Sequence, residues 1–173
     1  MDSSAIIPNT VRRIVENAFT GRNIEKVEIP NQVEIIEDYA FMECNKLSEI
    51  KIGSSVDSIG NNAFRCCYNL TKIVSCIMNP FPIEANTFWL MGTSLNNIYS
   101  TATLYVPNGT KNVYCDVEGW NRFHNIVEFD PSSINNIIVD EGYNAQIYNL
   151  RGQLLKKPSK GLNIFGRKKI IIR

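Results

Sequence analysis

This sequence predicts a mainly β solenoid with short helical turns, followed by a small antiparallel β module. Two alignments of the chain with itself, and one change of pattern, predict it. Ile24-Glu25-Lys26-Val27-Glu28-Ile29-Pro30 aligns with Leu47-Ser48-Glu49-Ile50-Lys51-Ile52-Gly53. The same shift carries Val33 to Val56, Ile36 to Ile59, Ala40-Phe41 to Ala63-Phe64 and Cys44 to Cys67, and it begins again at Leu70 and Ile73. After Asp130-Pro131-Ser132-Ser133 the period gives way to short strand-like runs.

A fixed period of about 20–29 residues with an L-x-x-I-x-I core marks a leucine-rich-repeat solenoid. Residues 1–129 hold about four to five such coils, so one short parallel sheet is expected. Residues 1–23 read as a partial first coil: Ile7-Pro8, Val11, Ile14 and Ala18-Phe19 match Ile29-Pro30, Val33, Ile36 and Ala40-Phe41, while the opening strand is mostly missing. In each full coil, L-x-x-I-x-I is a strand that Pro30 or Gly53 ends, since proline cannot donate to a ladder. V-x-x-I is a second apolar edge. Asp38-Tyr39-Ala40-Phe41 and Asn61-Asn62-Ala63-Phe64 open a brief helical turn, with Asp38 and Asn61 as caps. Phe19, Phe41 and Phe64 should stack between coils.

Stacking the strands sets Lys26, Glu49 and Lys72 in one outward column and Glu28, Lys51 and Val74 in another. Opposite charges then face each other, worth about 0.2–1 kcal/mol per pair. They fix register and keep the sheet soluble, or they floor a binding surface; for this segment alone the first reading is preferred. Glu49, Lys51, Lys72 and Tyr105 are the strand candidates for partner contact.

After Ile73 the period breaks. Thr87-Phe88 keeps the Ala-Phe place, but the strand Thr103-Leu104-Tyr105-Val106-Pro107 comes late for that register. Insertions in repeat arrays map to loops on one face, often the binding face. Trp89, Leu90 and Met91, within 79–92, are therefore candidate anchors or a cover over the end of the core. Thr110 to Phe123 reads as a helical turn with Val113, Tyr114, Val117, Trp120 and Phe123 as apolar contacts, which makes 104–129 a closing coil. Beyond the linker, 134–139, 145–149, 153–155, 162–165 and 169–172 read as five short strands, giving a C-terminal β domain over 130–173.

Hydrophobic residues make up 44% and charged residues 20%, which excludes a disordered chain. No apolar run approaches the ~20 residues of a bilayer-spanning helix. Arg12, Arg13 and Glu16 interrupt the start of the chain, so a signal peptide is not present here and is expected to have been removed or trimmed. From Arg151 to Arg173 there are eight Lys or Arg and no acid, against a net charge of −7 over positions 1–150. These bases alternate with apolar residues as on solvated strands, and no aromatic series accompanies them, so nucleic acid is not expected. A polyanion site on Arg167, Lys168, Lys169 and Arg173 ranks last among the readings.

The five cysteines form no C-x-x-C pattern. Cys44 and Cys67 share a repeat position, close enough for a disulfide, though free buried thiols are the preferred reading. His124 and Cys115 are the one conceivable catalytic pair, and nothing supplies an orienting group or an oxyanion hole. Asp140-Glu141 beside Gly142 is a solvated turn rather than a calcium site. No catalytic, cofactor or metal residue is assigned, and an enzyme is not expected.

The repeat I-x-I-P-x-x-V-x-x-I-x-x-x-A-F-x-x-C-x-x-L resembles the BspA-like leucine-rich-repeat family of bacterial surface proteins. Leu104-Tyr105-Val106-Pro107, Gly119-Trp120 and Asn125-Ile126-Val127-Glu128 are similar to the coil that closes such arrays. Ile147 to Gln153, with Lys157-Pro158 and Gly161-Leu162, is similar to C-terminal sorting or anchoring modules of secreted proteins. The resemblance implies an extracellular or cell-surface protein that adheres to a host or microbial protein or glycan, with no catalytic residues to carry over. The alternative is a structural spacer whose C-terminal module serves export or attachment. The ligand and the oligomeric state are not legible.

Overall fold

A computed structural model describes residues 4–91 and 97–131, and the backbone of strands within 147–172. The chain divides into two compact units, Met1–Pro131 and Ser132–Arg173. The first is a stack of coils in which three backbone segments repeat.

The L-x-x-I-x-I segments form β1 (Ser4–Ile6), β3 (Lys26–Glu28), β5 (Glu49–Ile52) and β7 (Lys72–Ser75). They continue into β8 (Thr103–Pro107) and β9 (Asn125–Phe129) to complete a six-stranded parallel sheet. Ser4–Ile6 is the strand that sequence reading leaves mostly missing. It pairs with β3 in the register Ser4 to Lys26, and its weak pattern reflects that only Ala5 of the three sits at an inward-facing register position. The V-x-x-I segments form β2 (Arg13–Ile14), β4 (Ile35–Ile36) and β6 (Ser58–Ile59), a second parallel sheet. Ile14, Ile36, Ile50, Ile59 and Ile73 point from both sheets into one core with Val33, Val56, Leu47 and Leu70.

The third segment is neither strand nor α-helix. Its amides run in one direction, each coil donating to the next: Phe19 N to Ala40 O at 2.8 Å, Phe41 N to Ala63 O at 2.8 Å, Phe64 N to Thr87 O at 2.9 Å. Flanking bonds join Asn17 to Asp38, Gly21 to Met42, Tyr39 to Asn61, Glu43 to Arg65 and Cys66 to Trp89. In each of the three coils that donate, aiming alternate amides the same way goes with a pair of left-handed residues: Asn17 and Gly21, Tyr39 and Glu43, Asn62 and Cys66. For a residue with a Cβ this backbone costs about 1–2 kcal/mol, which the ladder and the packing beneath it offset. Asp38 does not cap its own turn as expected; its carboxylate accepts from Asn61 N of the following coil at 2.7 Å.

Under this ladder lies the phenylalanine column. Phe19, Phe41, Phe64 and Phe88 stack nearly parallel, with centroids 4.9, 5.3 and 5.2 Å apart. Cys44 and Cys67 are free, and each thiol donates to the phenylalanine carbonyl of the preceding coil, Phe19 O and Phe41 O. Burial pushes both thiols up from their ordinary value, which favours the protonated form, Cys67 the more strongly.

The stack ends on Phe88. Tyr99, on α1 (Ile98–Thr101), and Phe123 meet its ring edge-on, with Trp120 tilted beside them. The Tyr99 hydroxyl reaches the last rung, where it donates to Ala85 O at 3.2 Å. Burial holds this phenol up at about 12. In the closing coil α2 (Lys111–Asp116) and a 3-10 turn (Trp120–Arg122) bury Tyr114 and Trp120. Val113 does not join them: it lies on the outer side of α2 and is exposed. Gly119 has φ of +84°, and a Cβ there would overlap the Ile83 carbonyl, so no other residue fits.

In the second unit β10 (Ile147–Asn149), β11 (Leu154–Leu155), β12 (Gly161–Phe165) and β13 (Lys168–Ile172) form an antiparallel sheet in the order β11-β10-β12-β13. The strand expected at 134–139, the Asp140-Glu141 turn, and Arg167 and Arg173 lie outside the described residues.

Tyr99→Phe removes the donor to Ala85 O, so it should cost about 0.5–1.5 kcal/mol in urea unfolding. A loss under about 0.3 kcal/mol would mean that this bond does not help to hold the last rung.

Candidate functional site

The six-stranded sheet turns two columns of side chains outward. One is Lys26, Glu49, Lys72, Thr103, Asn125; the other is Ile6, Glu28, Lys51, Val74, Tyr105, Val127. The candidate charges are committed to each other. Glu49 bridges Lys72 at 2.8 Å and Lys26 at 3.7 Å, and Lys51 pairs with Glu28 at 2.6 Å. Lys72 also lies 5.8 Å from the centre of the Tyr105 ring. Exposed pairs of this kind each contribute about 0–1 kcal/mol. They hold register and leave no unpaired charge among Glu49, Lys51 and Lys72.

Trp89, Leu90 and Met91 occupy a different wall. Trp89 O accepts from Cys66 N, so this segment is the fourth rung of the turn ladder. Neighbouring rungs place Thr20, Met42, Arg65 and Trp89 in one outward column. Trp89 is 45% exposed and Met91 53%, whereas Leu90 is 7% exposed and packs in the core. Leu90 is therefore corrected from a surface anchor to a core residue, because consecutive residues on a rung point to opposite sides. The sequence candidates form two separate surfaces rather than one site.

Arg65 was not legible as a site residue, although its rung position equals that of Trp89. Its guanidinium sits 4.9 Å from the centre of the Trp89 ring, an arrangement worth about 0.5–1 kcal/mol at the surface. Tyr68, half-exposed, contacts Cys66, with Glu43 and Arg65 close enough to affect its charge; the Cys66 contact pushes its phenol up. The result is a group of Arg65, Tyr68 and Trp89, with exposed Met91 two residues along the chain: aromatic surface, one cation and a flexible thioether beyond them.

Chemistry of bond making has little to work with here. His124 and Cys115 are both exposed, and no hydrogen bond joins them. Among the described residues no group of three or more His, Cys, Asp or Glu could hold a metal, and no helix is long and apolar enough to cross a membrane.

A model of the BspA-type leucine-rich-repeat region matches residues 3–110 in six copies. No curated protein matches the chain. Repeats of this type are protein-binding and generally non-catalytic.

The opposite orientations of Leu90 and Trp89 separate stability from surface. Leu90→Ala should lower the unfolding free energy by about 2–5 kcal/mol, and Trp89→Ala by less than about 1 kcal/mol. Equal losses in urea titrations would contradict the assignment.

Proposed function

The chain belongs to the BspA-type leucine-rich-repeat family, and from that premise we propose a non-catalytic binding protein of the cell surface or extracellular space, adhering to a host or microbial partner. In this reading the solenoid over 1–129 recognises the partner, and 130–173 serves export or attachment.

The observation that carries it is the half-exposed Trp89 held on a rigid rung. Trp, Tyr and Arg are enriched among the residues that dominate interface energetics: Trp and Tyr bury large area at low entropic cost, Arg adds charge and hydrogen-bond donors, and Met adapts to irregular surfaces. Trp89, Arg65, Tyr68 and Met91 combine all four on one wall, while the Glu49, Lys51 and Lys72 charges are satisfied internally. A partner presenting an apolar patch beside a carboxylate fits this cluster. Tyr105, on the other wall, is secondary. The internal pairing of those charges favours one further reading, a spacer that carries no partner on its sheet face.

Surface plasmon resonance against a panel of immobilised extracellular-matrix proteins tests this. Trp89→Ala should weaken a saturable interaction by roughly tenfold or more while lowering the melting temperature by no more than a few degrees. Retained affinity would remove Trp89 from the site, and silence across the panel would favour the spacer.

A further inference from the structure

The second sheet stops at β6, and the reason is chemical. The register that takes Ala63-Phe64 to Thr87-Phe88 takes Val56 to Pro80, Ser58 to Pro82 and Ile59 to Ile83. Proline cannot donate to a ladder, so coil four turns away. Arg12 O accepts from Glu34 N, and Glu34 O from Asp57 N at 2.9 Å, but no described amide donates to Asp57 O. Beside this free edge an open groove of about 340 Å³ runs between residues 54–57 and residues 77–81.

Both walls are fixed. Ile77 O accepts from the Tyr114 hydroxyl at 2.9 Å, Phe81 O accepts from Trp120 Nε1 at 2.9 Å, and Ser54 N donates to Asn31 Oδ1. The lining divides by chemistry. Part-buried Phe81 supplies apolar surface over the buried Val56 and Ile77, with Met78 exposed at the lip. Ser54, Ser55, Asp57 and Asn79 supply exposed polar groups whose side chains have no hydrogen-bond partner among the described residues. Asp57 is the one charged lining residue, and no base stands with it.

We infer that this groove binds one residue of a neutral saccharide. The volume lies at the small end of the ligand-site range. The lining offers a carboxylate, two hydroxyls and an amide, a set that both accepts and donates and so suits a ligand dense in hydroxyl groups. Its apolar strip, Phe81 with Met78, suits the C–H face of a pyranose ring. Asp57 without a compensating base rejects sialylated and sulfated sugars by charge. The site is distinct from the Trp89 wall, and it extends the surface-binding reading without depending on that cluster.

Saturation-transfer NMR on the full chain, with methyl glycosides of glucose, galactose, mannose and N-acetylglucosamine at millimolar concentration, tests the inference. At least one should receive saturation, falling about fivefold or more in Asp57→Ala, which is exposed and should fold normally. Met78→Ala should weaken it too, and Trp89→Ala should leave it intact. Loss in Trp89→Ala, no saturation in any glycoside, unchanged saturation in Asp57→Ala, or stronger binding of sialyllactose or a heparin oligosaccharide would overturn it. Failure of matrix-protein binding in the Trp89 experiment leaves these outcomes readable.

Discussion

The one-way amide ladder of the turn wall is the constraint on which the solenoid depends. Two sheets alone would stack coils without fixing how far the third wall closes. The ladder fixes it, because alternate amides of every coil must meet carbonyls of the next. That demand places left-handed backbone at Tyr39, Glu43 and Cys66, where side chains disfavour it. It also seats Phe19, Phe41, Phe64 and Phe88 directly above one another, so that hydrogen bonding and aromatic packing specify the same spacing. Each coil is stabilised chiefly by its neighbours, as in other quasi-one-dimensional folds.

Such an array needs an end. A ladder that donates in one direction leaves amides unmet at its last rung, and an unmet buried amide costs about 1–3 kcal/mol. Here Tyr99, Phe123 and Trp120 cover the last ring, and the Tyr99 hydroxyl donates to Ala85 O beside it. The same transition produces the surfaces with recognition chemistry. Regular coils turn paired charges to solvent, and only where the register changes do Trp89, Met91 and the groove beside Asp57 stand open. Both proposed binding surfaces thus lie near the seam between repeat and cap.

How much of this could be read from the sequence follows from periodicity. The constant shift from Ile24 to Leu47 located the strands, the inward residues, the phenylalanine column and the Lys26–Glu49–Lys72 pairing, because stacked coils turn sequence separation into contact. Leu90 misled, since a rung segment alternates sides and its neighbours Trp89 and Met91 face out. Val113 misled because so short a helix has one buried face, which Tyr114 takes. The first strand was hidden by its length, and Asp38 by a bond made to the next coil instead of its own. Arg65 could have been found by carrying Trp89 back one coil, in the register that joins Phe88 to Phe64. The groove could not, because it depends on where the chain goes once Pro80 ends the second sheet.

Hydrogen exchange on the intact chain tests the central role of the turn ladder most directly. The amides of Phe19, Phe41 and Phe64 should be protected as strongly as those of Ile50 and Ile73 in the main sheet, all exchanging through one cooperative opening. Exchange of the three phenylalanine amides within minutes, with the strand amides still protected, would show that the sheets hold the coils together and the ladder only follows.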